Sequence, residues 1–599
     1  MSIGLLVRTD RNQAWFYSLV VGTAVFIYVT GGAIINSSNR DWLMFGDAAQ
    51  HYLGWEFFRH TPLMQWPIGA NYPLGMELSS SIVFTDSIPI AAYIAKLFNP
   101  ILPATFQYLG IWIWLCFVLQ AFFAQRFLKF FLSNKAHVYL GAFFVVLSPP
   151  LVYRLVHAGY GHIALASHWL ILASFCLYLR PGRNDLRWSL LIALCWLIQA
   201  YFAPMVAAIW LASLVKRLFM DGERFSLLKS TCVVAITSFI VMWASGYFMI
   251  GSKFNPEGWN YVFRWQPLSL VDSGTDGSFG WSRILQDRAQ TDGSTEAFSF
   301  LGLGVIFMMA LYVIRLLYNK RLFRRSSTIA LGGFLACFAL LSAQISPSKA
   351  LTLVGLMIIC SFVLLSCRDM FGNRARVVRL APLLFAALCL GIYSMTNRIG
   401  IGQRTIFEYQ LFPPLKQFTE TFRTHGRSIW PLYYLLVFST LIQISKTLPK
   451  RYLTFAFALL LCFQIVDSSH AIELARLRFT DTPKWTTPLM DPYWADLGIR
   501  YKNVIVIPPL NDDPDEQWIA LNDFAIQYGL NTNSGNFSRF DESLFLKYTE
   551  HLVSNFMVGR LDKQSLYIIL DAKLIEFVRN EPLRIDKIRL LDGFIAVEG

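Results

Sequence analysis

Long apolar runs alternate with short polar linkers along most of the chain. A helix needs roughly 20 predominantly apolar residues to cross a bilayer. Thirteen runs approach that length, at about residues 14–35, 103–131, 137–152, 163–179, 188–200, 204–215, 230–250, 298–314, 328–343, 350–366, 380–396, 428–445 and 452–468. We separate the fifth run from the sixth between Tyr201 and Pro204, because proline and the residue before it disfavour helix. The pattern predicts about thirteen membrane helices.

The pattern changes after residue 470. Two short runs rich in β-branched residues, at 503–509 and 566–570, are separated by stretches with helical periodicity. Buried strands that alternate with helices are typical of small α/β domains. We therefore expect residues 1–469 to form a mainly α-helical transmembrane bundle and residues 470–599 to form an extracytoplasmic α/β domain.

Composition supports a membrane protein. Of the 599 residues, 55% are hydrophobic and 15% are charged, whereas soluble proteins average about 25% charged residues. This balance excludes a cytosolic enzyme, a disordered chain and a fibrous protein. The 9 cysteines lie within apolar runs or at their ends, so neither a disulfide framework nor a zinc knuckle is expected.

The net charge of +14 reflects basic residues in short linkers. With the N-terminus inside, the cytoplasmic linkers hold 22 Lys and Arg in 72 residues, and the opposite segments before the last helix hold 14 in 162. These linkers are 1–13, 132–136, 180–187, 216–229, 315–327, 367–379 and 446–451. The positive-inside rule supports this orientation. It places the long loops 36–100, 251–297 and 397–427 and the C-terminal domain together on the outer face.

The first outer loop contains a helix-compatible stretch from Phe45 to Arg59, with Asp47 near its start. An acidic residue shortly after the first membrane helix, followed by an amphipathic helix, resembles the multi-pass GT-C glycosyltransferases. That superfamily includes protein O-mannosyltransferases, aminoarabinose transferases and oligosaccharyltransferase catalytic subunits. The N-in bundle, the long first outer loop and the C-terminal outer domain extend the resemblance to the whole architecture.

The resemblance implies a sugar donor carried on a polyprenyl phosphate, and it matches Asp47 to the catalytic carboxylate. A carboxylate within hydrogen-bond reach can accept the proton of an acceptor hydroxyl. His51 lies four residues later and shares a helix face with Asp47, which makes it a candidate substrate contact. The structural alternative is that Asp47 caps the helix. Asp86, before a short apolar stretch, is either a substrate contact or an N-cap, and the cap is favoured.

Two basic clusters lie at outer helix boundaries. The first contains Arg154, His157 and His162, and the second contains Arg423, His425 and Arg427. Arginine suits a lipid phosphate because its forked donors match phosphate oxygens. The alternative is that these arginines anchor to lipid headgroups. The second cluster runs against the positive-inside rule, so we expect an anionic partner there, either headgroups or a donor phosphate.

Metal or nucleotide chemistry has little support in the sequence. The histidines of the first cluster are conceivable metal ligands, but the first loop lacks an Asp-x-Asp pair, and the pair Asp513 to Asp515 reads as a loop. Aromatic and acidic residues of loop 251–297 favour an interfacial and turn role over sugar binding. A Walker loop is absent. No cofactor is expected, and a divalent metal is possible but not indicated.

These observations predict an integral-membrane glycosyltransferase of the inner membrane, with a polyprenyl-phosphate-linked sugar as donor, a glycan or lipid as acceptor and no nucleic-acid partner. A flippase or transporter of lipid-linked glycans is the alternative from another class, and a glycan polymerase or ligase is the neighbouring chemistry. Transporters place ionisable groups near the bilayer midplane. This chain concentrates them at the outer boundaries, which favours an enzyme.

The topology can be tested with fused reporters. We expect a reporter after Gly599 to be active only outside the cytoplasm, because an odd number of crossings separates the C-terminal domain from an inside N-terminus. A reporter placed in the 216–229 linker serves as the cytoplasmic control. Cytoplasmic activity at both positions would contradict the topology and the placement of every candidate residue.

Overall fold

The structure is a computed structural model. It describes residues 2–78, 80–155, 161–221, 224–250, 263–274, 280–285, 296–318, 347–371, 374–401, 404–510, 515–537, 539–580 and 587–599. Within these residues, eight helices are long and apolar enough to cross a membrane, and three shorter apolar helices accompany them. The protein is therefore a mainly helical polytopic bundle with a small α/β domain at its C-terminus.

The helices of the bundle follow the apolar runs. They are α1 (Ser2–Thr30), α2 (Gly46–Arg59), α3 (Pro89–Leu97), α4 (Leu109–Leu128), α5 (Lys135–Val146), α6 (Pro149–Tyr153), α7 (Trp169–Leu179), α8 (Asp185–Ile198), α9 (Phe202–Asp221), α10 (Arg224–Ser245), α11 (Leu303–Tyr318), α12 (Pro347–Phe371), α13 (Arg374–Ser394), α14 (Pro413–Thr421), α15 (Trp430–Thr447) and α16 (Lys450–Thr480). A hairpin of β1 (Arg398–Ile401) and β2 (Arg404–Glu408) precedes α14.

Twelve of the thirteen predicted membrane helices correspond to described helices, and the run at 328–343 lies outside the described residues. The split near Tyr201 is confirmed, since α8 ends at Ile198 and α9 begins at Phe202. Pro204 falls in the first turn of α9, where its missing N–H leaves no helix bond unmade. The last helix, α16, continues to Thr480, beyond the expected boundary at 469.

Small residues let α1 and its neighbours approach closely. A side chain at Gly22 would collide with the backbone of Val118 on α4, and one at Gly110 would collide with the carbonyl oxygen of Ile34. Close backbone approach through small residues is a common way to pack membrane helices, because lipid offers no hydrophobic drive between them. These contacts fix α4 against α1 at the end of the bundle where the first predicted outer loop begins.

The C-terminal domain is built on a mixed five-stranded sheet. Its elements are α17 (Tyr493–Arg500), β3 (Asn503–Ile507), α18 (Gln517–Tyr528), β4 (Asn531–Thr532), α19 (Glu542–Met557), β5 (Ser565–Ile569), α20 (Ala572–Asn580), β6 (Ile588–Leu591) and β7 (Phe594–Glu598). The strand order is β4-β3-β5-β7-β6, with β3 parallel to β4 and β5. Both runs predicted as strands are confirmed. Val504 and Val506 face one apolar cluster and Ile505 and Ile507 face another, so β3 is buried on both faces.

The C-terminal domain docks on the first loop. Arg40 forms an ion pair with Asp523 of α18 at 2.6 Å, and the backbone N–H of Gly46 donates to Oε1 of Glu516 at 2.9 Å. Thr532 of β4 exchanges backbone hydrogen bonds with Pro73 and Gly75. The loop therefore covers the open edge of the sheet, which would otherwise expose unpaired backbone groups. This docking brings the domain beside the start of α2.

Candidate functional site

Asp47 lies in the first turn of α2. The helix begins at Gly46, whose φ of +53° is in the left-handed region that favours glycine. Phe45 is the N-cap residue, and it makes no side-chain cap hydrogen bond. Asp47 is therefore not the side-chain cap that the structural alternative expected, although a negative charge in the first turn does suit the helix dipole. Its side chain is 30% exposed, so a ligand can reach it.

His162 connects Asp47 to a second carboxylate, that of Glu296. Its Nδ1 lies 3.2 Å from Oδ2 of Asp47, and its Nε2 lies 3.4 Å from Oε1 of Glu296. Only an N–H can donate to an ionised carboxylate. Either the imidazole carries both protons or one of the carboxyl groups is protonated. The chain of three side chains can therefore hold a proton between Asp47 and Glu296.

Glu296 also neutralises both predicted phosphate-binding arginines. Its Oε2 accepts from Nη1 of Arg154 at 2.6 Å and from Nε of Arg427 at 2.8 Å. Arg154 is fully buried, and Glu296 and Arg427 are nearly so. The anionic partner expected for the second basic cluster was a headgroup or a donor phosphate, and the anion that faces these arginines is Glu296 of the same chain.

The local backbone explains how these residues meet. The N–H of His162 donates to the carbonyl oxygen of Arg154 at 2.8 Å, which holds His162 beside the end of α6. Gly426 lies against Ala297, where a side chain would collide with the Ala297 methyl group. Its N–H donates to the carbonyl oxygen of Phe263 at 2.9 Å. This close approach brings the turn that carries Arg427 onto the segment that carries Glu296.

The pKa values of the two carboxyl groups are shifted in opposite directions. Burial raises the pKa of Asp47 above its ordinary value; the charges of His162 and Arg427 oppose that rise, and the Asp86 and Glu296 carboxylates add to it. Burial alone would also raise the pKa of Glu296, but Arg427 and Arg154 outweigh it and hold this pKa well below the usual range. Glu296 therefore remains an anion, while Asp47 is the carboxylate of the two that takes up a proton more readily.

Aromatic side chains support the two arginines. The guanidinium of Arg427 lies 4.5 Å from the ring centre of Tyr201, and that of Arg154 lies 5.8 Å from the ring centre of Trp430. Such stacking suits arginine, whose planar charge packs on aromatic faces. Nη2 of Arg539, from the C-terminal domain, reaches the Tyr201 hydroxyl at 3.5 Å. Arg154 and Arg427 of the bundle and Arg539 of the C-terminal domain therefore form one cluster of positive charge, which we call the cationic rim.

Asp86 lies close enough to raise the pKa of Asp47, and its Oδ1 accepts from Nε2 of Gln199 at 2.9 Å. The favoured expectation that Asp86 caps the following helix is wrong. The N-cap residue of α3 is Ile88, which makes no side-chain cap, and the helix begins with Pro89. Asp86 lies two residues before this N-cap, and its carboxylate binds Gln199 instead of the helix N-terminus.

The other site residues predicted from the sequence lie outside the chain of Asp47, His162 and Glu296. His51 is buried one turn after Asp47, and burial lowers its pKa to about 4. The charge of Arg423 acts on Tyr201, whose pKa burial would raise but Arg539, Arg427 and Arg423 lower. His425 is buried against the ring of Tyr393 at 5.1 Å, and the described contacts do not join it to Asp47 or Glu296. His157 lies outside the described residues.

Sequence reasoning missed Glu296, Tyr201, Gln199 and Arg539. One signal did point to Glu296: it immediately precedes the apolar run at 298–314, at the same predicted boundary as the two arginines. Arg423 and Arg427 precede a membrane helix on the outer side, against the positive-inside rule, and therefore require a counter-charge. An acidic residue at the outer boundary of another helix can supply it. Arg539 had no such signal, because it belongs to the separate C-terminal domain.

In the described part of loop 251–297, the tryptophan side chains pack inside the protein. Trp265 is buried and donates to Oγ of Ser299 at 2.9 Å, and Trp281 is buried against Phe298. Trp259, Tyr261, Asp276, Asp287 and Asp292 lie outside the described residues, as does Asp513. Across the described ranges, no group of three or more His, Cys, Asp or Glu side chains is arranged to hold a metal ion.

Comparison with known protein families places the chain in one of them. A family model described as "Domain of unknown function (DUF6311)" matches residues 19–354 and 353–469, and a model described as "DUF6311 C-terminal domain" matches residues 493–598. No curated protein matches the sequence. Among solved structures, the chain is similar to "Crystal Structure of ArnT from Cupriavidus metallidurans in the apo state", with 10% identity, a TM-score of 0.37, and coverage of 100% of this chain and 98% of that chain.

The raised pKa of Asp47 has a consequence for stability. A carboxyl group with a higher pKa in the folded protein than in the unfolded chain opposes folding when it ionises. The penalty is absent below the unfolded-state value of about 3.9 and complete above the folded-state pKa. We therefore expect Asp47→Asn to unfold at a higher temperature than wild type at about pH 7.5, with the difference vanishing as the pH falls through this window.

The measurement is thermal unfolding of the purified protein across that pH range. Glu408→Gln, which removes an exposed carboxylate from β2, is the control and should follow wild type. An Asp47→Asn variant that is less stable than wild type at about pH 7.5 would show that the folded protein favours the ionised carboxylate, contrary to this account.

Proposed function

This chain belongs to the DUF6311 family, and we propose that it is an integral-membrane glycosyltransferase that transfers a sugar from a polyprenyl-phosphate donor to a glycan or lipid acceptor on the outer face of the cytoplasmic membrane. One observation carries the proposal. Asp47, Arg154 and Arg427, chosen for separate reasons, come together around Glu296 and His162. A base for the acceptor and cations for a leaving phosphate are the two requirements of this reaction.

In the proposed reaction, the acceptor hydroxyl attacks the anomeric carbon of the donor sugar. Asp47 accepts the hydroxyl proton as the new carbon–oxygen bond forms. The bond between the anomeric carbon and the phosphate oxygen breaks, and the lipid phosphate leaves with the electron pair. Phosphate is already a good leaving group, so a base contributes more than an acid.

His162 orients the base. Its Nδ1 faces Asp47, and its Nε2 faces Glu296, which keeps the ring oriented. After the transfer, the proton on Asp47 passes to solvent at the exposed part of its side chain, which regenerates the carboxylate for another turnover. His162 lies beside the base and contacts Glu296, so it is a positioning residue in this scheme.

The proposed roles of the arginines differ. The Nε of Arg427 is bonded to Glu296, and among the described residues no hydrogen bond occupies its two terminal NH2 groups. These groups are suited to a phosphate oxygen pair. Arg154 is fully buried under the Trp430 and Tyr153 rings, so we assign it to holding Glu296. Arg423 and Arg539 add positive charge at the rim, where the donor headgroup would enter.

The alternative of a flippase or transporter without bond chemistry has less support. The ionised cluster lies at one end of the bundle, where α2, α6, α11 and α15 meet loops. A carrier would need such groups near the midplane. A glycan polymerase or ligase would use the same base and cations, so the identity of the acceptor separates these chemistries.

The direct test of the proposal is the activity of Asp47→Asn. The amide keeps the size of the side chain but cannot accept a proton. Purified wild type is first assayed against a panel of synthetic polyprenyl-phosphate hexoses and pentoses, with membrane glycolipids as acceptors, to identify a donor that it consumes. On that donor we expect Asp47→Asn to transfer at least about 10²-fold more slowly, as for loss of a general base.

Glu408→Gln is the matched control, because it removes an exposed carboxylate from the loop between α13 and α15 and should leave transfer unchanged. Full activity of Asp47→Asn would exclude the residue from the chemistry. Intact donors after incubation with the wild-type protein, across the whole panel, would contradict the donor class.

A further inference from the structure

An apolar cavity between the bundle helices extends to the end of the bundle away from Asp47. It has a volume of about 830 Å³ and is lined by side chains of α4, α7, α12, α13 and α15. Most of the lining is phenylalanine and leucine, including Phe127, Phe131, Leu384, Leu436 and Phe438. The volume falls within the ~300–1,000 Å³ range of ligand-binding pockets. None of the site residues described above contributes to it.

One end of the cavity is cationic. Arg379 begins the apolar part of α13, and Gln443 and Lys446 lie in the last turns of α15. Nζ of Lys446 donates to Oε1 of Gln443 at 3.3 Å. Among the described residues that line the cavity, two are basic and none is acidic. The cavity therefore favours a ligand that carries a negative charge at this end.

The cavity is somewhat longer than the hydrocarbon layer of one lipid leaflet. Along α15 its lining runs from Leu432 to Lys446, which is about 21 Å at the rise of an α-helix. One leaflet contributes about 15 Å of hydrocarbon. A phospholipid with its headgroup at Lys446 would extend its acyl chain along the apolar lining toward Leu432.

The cavity also opens sideways to the bilayer. Phe385 and Leu388 line it and are 70% and 52% exposed. Both belong to Val377–Ser394, which is apolar and long enough to cross a membrane. Exposed apolar side chains in such a segment face lipid. A lipid can therefore enter laterally from its own leaflet without crossing the protein.

We propose that this cavity binds an anionic phospholipid, with its phosphate held by Arg379 and Lys446 and an acyl chain packed among the phenylalanine and leucine side chains. Basic pockets between membrane helices are suited to anionic headgroups. The proposal is independent of the proposed transferase activity, because Lys446 lies at the opposite end of α15 from Arg427 and no residue of the Asp47 site lines the cavity. It requires a lipid from the leaflet opposite the Asp47 site.

The test measures which lipid the full-length protein retains. The protein is reconstituted into nanodiscs of equal parts phosphatidylglycerol and phosphatidylcholine, extracted in mild detergent and examined by native mass spectrometry. Wild type should retain phosphatidylglycerol in preference to phosphatidylcholine. Arg379→Gln/Lys446→Gln should reduce this preference about 30-fold, since each basic residue near an anionic headgroup contributes a comparable factor of about 5.

Two further variants make the outcome specific. Lys450→Gln/Arg451→Gln removes the same charge at the start of α16, outside the cavity lining, and should keep the wild-type preference. Ser439→Phe narrows the cavity from α15 and should weaken retention of both lipids, with the unfolding temperature confirming a folded protein. Equal retention of both lipids by wild type, an unchanged preference in Arg379→Gln/Lys446→Gln, or a polyprenyl phosphate in place of the phospholipid would overturn the proposal.

Discussion

The arrangement of the site depends on one carboxylate that neutralises two buried arginines. Arg154 is fully buried and Arg427 nearly so, and both donate to the same oxygen of Glu296. An unpaired guanidinium in such surroundings is costly, and removing one partner of a buried ion pair typically costs about 3–5 kcal/mol. Glu296 therefore allows two positive charges to persist beside apolar helices. The rest of the site, including the orientation of His162, follows from where this carboxylate lies.

The first loop and the C-terminal domain complete that arrangement from the other side. Helix α2 carries Asp47 toward His162, and its first N–H is held by Glu516 of the C-terminal domain. Arg539 of the same domain contacts the tyrosine that stacks on Arg427. The domain therefore contacts both the carboxylate and the arginine sides of the site. Its sheet is continued by backbone bonds to the first loop, which explains why a small domain can hold a fixed position over the bundle.

Much of this architecture was predictable from the sequence because it depends on local patterns. Apolar runs predicted the membrane helices, β-branched runs predicted β3 and β5, basic residues at outer boundaries indicated Arg154, His162 and Arg427, and the resemblance to GT-C glycosyltransferases indicated Asp47. The pairings were not predictable: Glu296 lies 142 residues from Arg154 and 131 from Arg427. The position of Glu296 before an apolar run marks it as a boundary residue, but it does not show that packing brings it to both arginines. The cap expected at Asp86 was wrong because α3 begins later, with Ile88 as its N-cap residue.

The most direct test of the central role of Glu296 is thermal unfolding of Glu296→Gln in two backgrounds. In the wild-type background, the amide leaves two buried guanidiniums without a counter-charge, and we expect a loss on the order of 3–5 kcal/mol, seen as a lower unfolding temperature. In Arg154→Met/Arg427→Met, the same change removes a buried carboxylate that has lost both arginines and still faces His162, and the unfolding temperature should fall much less than in the wild-type background. Equal effects of Glu296→Gln in the two backgrounds would contradict the account, because they would show that the carboxylate and the arginines are not coupled.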